Sequence, residues 1–96
     1  MSAVPVTVWV GLWSNRHGEG IYTASTEDDL LAYWGDEAIE LDDVVNRGMR
    51  VSITAALGAG RDADAFRLYH DATEGGWVDD YFLWEKRTVT VELADS

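Results

Sequence analysis

The chain has 96 residues, 47% of them hydrophobic, and a formal net charge of −11 from eighteen acidic and seven basic side chains. That length suffices for one domain, residues 1–96, and not for two. The absence of cysteine excludes disulfides, thiolate metal sites and cysteine nucleophiles, and a field of this sign repels nucleic acid and anionic membranes while attracting basic protein surfaces.

The first thirteen residues carry no basic run and no small-residue cleavage pattern, and no apolar stretch approaches ~18 residues. Neither a signal peptide nor a membrane span is expected, which implies a cytoplasmic protein. Residues 6–13 read as a β-strand, with Val6, Val8, Val10 and Leu12 on one side and Thr7, Trp9, Gly11 and Trp13 on the other. Both sides are apolar. If the valines face the core, Trp9 and Trp13 need a cover, supplied by the same chain, by a partner or by a second copy. Residues 14–20 are dense in turn formers, and 21–24 resume extended structure to complete a hairpin.

Thr26 or Ser25 caps a helix whose first turn holds Glu27, Asp28 and Asp29, whose buried stripe is Leu30, Leu31 and Trp34, and which Gly35 ends. Residues 36–46 admit either a short strand at 38–41 or continuous helix, and the favoured reading starts a second helix near Asp42 and ends it at Gly48. Residues 49–57, rich in β-formers at Val51, Ile53 and Thr54, read as a strand. A loop follows at 58–62. Residues 65–72 fit strand or helix, with strand preferred because a turn cluster follows at 73–76. Residues 77–84 and 88–93 read as two strands separated at Glu85, Lys86 and Arg87. The expected architecture is α+β: an antiparallel sheet of about four to six strands with one or two short helices on one face.

Little in the chain points to chemistry. His17 and His70 are the only histidines. His17 could pair with Ser14 and a carboxylate as a hydrolytic set, but no nucleophile elbow surrounds that serine and a hairpin tip explains both residues. A ligand site near Trp13, Arg16 and His17 is a third reading of function. Asp42-Asp43, Asp79-Asp80 and Asp62-x-Asp64 match no calcium loop, and neither Gly18-x-Gly20 nor Gly58-x-Gly60-Arg61 completes a phosphate cradle. No catalytic residue, metal or cofactor is expected.

The charge distribution is more informative. Between Arg16 and Arg47 lie thirty residues without lysine or arginine, and nine of them are acidic. Eight of those, Glu27, Asp28, Asp29, Asp36, Glu37, Glu40, Asp42 and Asp43, form a candidate partner-binding face, with Trp9 and Trp13 as a candidate apolar interface. In size, acidity and the clustering of acids from Glu27 to Asp43, the chain resembles small phage-type inhibitors of host defence, the anti-restriction and anti-CRISPR class of DNA mimics. The resemblance rests on that window and on composition rather than on a shared motif. It implies a non-enzymatic viral inhibitor whose partner is a basic, nucleic-acid-binding protein, with no direct contact to nucleic acid or membrane. The alternative is a non-enzymatic accessory domain, monomeric or dimeric, whose tryptophans are core or dimer contacts and whose acidity is halophilic or solvating.

Overall fold

Two long antiparallel strands organise the chain. The computed structural model describes residues 2–73 and 80–93. Strand β1 (Ser2–Asn15) and strand β2 (Gly18–Ala24) form a hairpin; helix α1 (Glu27–Glu37), a 3-10 turn (Leu41–Asp43), helix α2 (Arg47–Gly58) and helix α3 (Asp62–Thr73) follow, and strand β3 (Tyr81–Leu93) returns along the far side of β1. The sheet order is β2-β1-β3, antiparallel throughout. The α+β class with an antiparallel sheet is therefore as expected, but the described residues hold three strands rather than four to six, and three α-helices rather than one or two.

The hairpin turns on Arg16 and His17, which keep negative φ, while Gly18 takes φ +140° and relieves the strand exit that a Cβ would strain. The Asn15 side chain braces it by accepting the His17 N–H at 2.8 Å. Thr26 caps α1 as expected, its Oγ1 accepting the Asp29 N–H at 3.1 Å. Gly35 does not end that helix. It sits within the helix because a Cβ there would strike the Asp62 carbonyl at the start of α3, so it lets the two helices touch backbone to backbone.

Two expected strands are helices. Residues 49–57 belong to α2: Asn46 caps it by accepting the Met49 N–H at 3.0 Å, and Ile53 and Ala56, three apart, form its buried edge. Residues 65–72 belong to α3, where Ala65, Phe66, Tyr69 and Thr73 fall on one helical face. The β-forming side chains of α2 tolerate helix because tertiary burial outweighs a propensity difference of a few tenths of a kcal/mol. Residues 36–46 hold the end of α1 and the 3-10 turn, not a second helix from Asp42 to Gly48. Glu85, Lys86 and Arg87 do not interrupt the last strand; β3 runs through them. Residues 74–79, including most of the expected turn and the beginning of the 77–84 strand, lie outside the described residues.

Helices α1 and α3 pack on one face of the sheet, the tryptophan face, and α2 packs on α3. Trp9, Trp13, Tyr22 and Trp84 pack against a buried cluster containing Leu30, Leu31, Trp34, Ile53, Phe66, Tyr69 and Phe82. The cover that Trp9 and Trp13 require thus comes from the same chain, so the apolar surface open to solvent is the valine side of β1 instead. There Val4, Val6, Ile21, Leu83, Val89 and Val91 are exposed, Ile21 at 68% and Leu83 at 53%. Because β2 ends opposite Trp9, the first seven residues of β1 pair only with β3, and a two-stranded arm projects from the helical body.

Gly35→Ala is expected to lower the urea-unfolding free energy by about 1–3 kcal/mol, the usual cost of overpacking a tight contact. Gly58→Ala, whose Cβ meets open space, should leave stability unchanged or raise it by up to about 1 kcal/mol. Equal losses at both positions would show that the α1–α3 approach is not what selects glycine at 35.

Candidate functional site

The acidic window divides into carboxylates that the fold uses and carboxylates that it leaves free. At the start of α1, Glu27, Asp28 and Asp29 meet the positive end of the helix dipole. Arg67 of α3 then reaches across: its Nη2 donates to Glu27 Oε1 at 2.8 Å and to Asp28 Oδ1 at 2.6 Å, and its Nη1 to Asp64 Oδ1 at 3.2 Å. Hydrogen bonds to Asp28 and Glu27 push the Arg67 guanidinium further up from its already high range. The clamp ties α1 to α3 at a half-exposed site, where each pair contributes at most about 1 kcal/mol. Asp43 is half-buried, and its Oδ2 accepts a long hydrogen bond of 3.4 Å from the Tyr69 hydroxyl. Burial first, and then the Asp43 charge, push the Tyr69 phenol well above its ordinary range.

Five of the eight acids remain: Asp29, Asp36, Glu37, Glu40 and Asp42, all exposed. Among the described residues no lysine or arginine side chain pairs with them. Asp29 and Asp36 share the outer face of α1 with the half-exposed Tyr33, opposite its buried stripe, and Glu37 stands exposed at the flank of that face. From Asp29 to Glu37 the helix rises about 12 Å at ~1.5 Å per residue. Along the axis Asp29 stands about 10 Å from Asp36, and Asp36 adjoins Glu37. Glu40 and Asp42 follow past the helix end.

Asp36 and Glu37 have no local structural justification. They occupy the last turn of α1, which contains no basic residue, and face the negative end of the helix dipole. Each carboxylate in such a place costs about 0.3–1 kcal/mol.

A second concavity, of about 180 Å³, lies where the hairpin tip meets the 3-10 turn, lined by Trp13, Asn15, Arg16, His17, Glu40, Asp43 and Asp80. The tertiary structure therefore does gather Trp13, Arg16 and His17, together with carboxylates from two other segments. The hydrolytic set is not assembled: the Ser14 hydroxyl donates to Glu19 at 3.4 Å, and no Ser14–His17 hydrogen bond occurs. No group of three or more histidine or carboxylate side chains among the described residues could hold a metal ion. Among the described residues, no helix is long and apolar enough to cross a membrane. Arg67 and Tyr69 escaped the sequence reading, and Asp80 entered it only within the Asp79-Asp80 run, since their roles depend on which segments α3 and β3 bring alongside the acidic window.

No protein-family model, curated protein or solved structure matches the chain.

The Tyr69 shift yields a pH dependence. The folded state holds the phenolic proton more tightly than the unfolded chain, where tyrosine titrates near about 10. Its contribution to stability is full below about pH 10 and is lost as pH rises beyond that value. Tyr69→Phe should cost about 0.5–1.5 kcal/mol near pH 7 through the lost hydrogen bond. Its urea midpoint should then fall less than that of the wild type between about pH 9 and about pH 11. Parallel declines in the two proteins would exclude Tyr69 as the alkaline-sensitive group.

Proposed function

We propose that this chain is a non-enzymatic protein-binding module. The outer face of α1 and the 3-10 turn would occupy the basic, nucleic-acid-binding surface of a partner protein, as in the DNA-mimic inhibitors that the acidic window resembles. The observation that carries the reading is the placement of Asp36 and Glu37, unpaired, at the wrong end of the helix dipole. Halophilic solvation asks for acids anywhere on a surface, and helix stability asks for them only at the N-terminus. A pair of carboxylates that opposes the dipole, followed by Glu40 and Asp42 past the helix end, is what a lysine- and arginine-lined channel would recognise. Binding there would be steered electrostatically and would weaken with salt.

The internal clamp on Glu27 and Asp28 refines the contact surface. Those two acids already share Arg67 with Asp64, and Asp43 is turned toward Tyr69. The partner's cations would meet Asp29, Asp36, Glu37, Glu40 and Asp42, with Tyr33 as an aromatic contact among them.

The test couples stability to binding. Asp36→Lys with Glu37→Lys should raise the unfolding free energy by about 0.5–2 kcal/mol, since cations suit a helix C-terminus. The same variant should no longer retain the basic nucleic-acid-binding protein that the immobilised wild type captures from bacterial lysate, a capture that excess double-stranded DNA should displace. Capture that survives both the reversal and the DNA, or a wild type that captures no such protein, would overturn the reading.

A further inference from the structure

The open face of the sheet presents a different surface from the acidic one. Along β1 it carries Val4, Val6, Val8, Val10 and Leu12, and the register sets beside them Val91, Val89, Arg87, Glu85 and Leu83 of β3. The arm that bears the first half of this face is a two-stranded ribbon, which is marginal in water unless something covers it. Where the arm joins the body, Val10, Leu12, Ile21 and Leu83 line a shallow apolar hollow of about 330 Å³.

We infer that this face is covered by a second copy of the same chain, in a face-to-face dimer with the arm of each copy lying across the hollow of the other.

Three observations choose that occupant. The first is self-complementarity. A two-fold axis lying across the strands near Trp9 and Lys86 sets Val8 over Val10 of the second copy, Val6 over Leu12, Val89 over Leu83, and Arg87 over Glu85. Aliphatic meets aliphatic at the Val8–Val10, Val6–Leu12 and Val89–Leu83 levels, and the one ion pair meets its own complement, as an isologous interface requires. The second is charge. The middle of this face holds only Arg87 and Glu85, whose Nη2 and Oε1 lie 2.6 Å apart, so it is locally neutral on a chain of net charge −11. A basic partner finds nothing to pair with there, whereas a second copy meets no local repulsion. The third is area. Two strands about 45 Å long and ~5 Å apart give a projected footprint on the order of 450 Å² per copy, with no strand opposite β2 in this arrangement. Side-chain relief raises the accessible area above that projection, toward the ~1,200 Å² at which specific interfaces begin. Aligned sheet packing at ~10 Å separation accommodates such a contact, and it leaves the α1 carboxylates on the two outer sides.

Salt separates this interface from the acidic one. Two copies of one acidic chain repel at long range, so screening should tighten the dimer while loosening any contact with a basic partner. Sedimentation velocity of the full chain should give twice the 10.7 kDa monomer mass, with a dissociation constant lower at about 0.5 M salt than at about 0.02 M. Leu83→Lys, at an exposed position, should raise that constant at least about tenfold without altering the far-ultraviolet circular dichroism. Arg87→Glu should do likewise by setting carboxylate against carboxylate, and combining it with Glu85→Arg should restore the dimer. A wild type that stays monomeric at both salt concentrations, a dimer indifferent to Leu83→Lys, or a double exchange that remains monomeric overturns the proposal. None of these outcomes depends on whether the α1 face binds a basic protein.

Discussion

The fold depends on one contact, the Trp34 indole against the bare backbone of Gly11. Trp34 is fully buried, and a Cβ at Gly11 would come within 2.5 Å of its ring. Glycine opens a slot in the middle strand that the largest side chain of α1 fills. Around that ring stand Tyr22, Phe66, Phe82 and Trp84, with centroids 5.1–6.0 Å away in tilted and edge-on arrangements. Every strand and two of the helices thus reach one indole. Among the described residues the Trp34 N–H, buried in this packing, has no acceptor.

This contact also decides what the outside of the molecule looks like. Because α1 lies over Gly11, the helices cover the tryptophan side of β1, and the valine side is left open. Because α1 presents Leu30, Leu31 and Trp34 to the sheet, its acids must point outward. The molecule is therefore two-sided, with carboxylates on the helical side and aliphatic side chains on the sheet side. The two proposed interactions use opposite surfaces and respond to salt in opposite directions.

Local chemistry was readable wherever a few neighbouring residues suffice. The Thr26 cap, the acidic first turn of α1, the Leu30–Leu31–Trp34 stripe and the hairpin tip all follow from short-range hydrogen bonding and periodicity. The helices α2 and α3 were not read, for a shared reason. Val51, Ile53 and Thr54 favour strand locally, and the signals for helix were the Asn46 cap and the helical spacing of Ala65, Phe66 and Tyr69. Those signals outweigh propensity only once a core exists to bury them. The polar run Glu85-Lys86-Arg87 resembles a turn by composition. It remains strand because it pairs residue for residue with Val8, Trp9 and Val10 of β1 where the ribbon leaves the helical body.

The sequence by itself determined the charge, its concentration between Arg16 and Arg47, the absence of thiol chemistry and the start of α1, because composition and near-neighbour hydrogen bonds need no fold to be counted. Only the tertiary structure decided which acids are free, since Arg67 lies thirty-nine residues from Asp28 and pairs with it only where α3 packs beside α1. It also decided which side of β1 is the core. Both sides of that strand are apolar, so its period-two pattern could not break the tie. The fit of Trp34 over Gly11 broke it, because steric complementarity between distant residues is a property of packing and not of pattern.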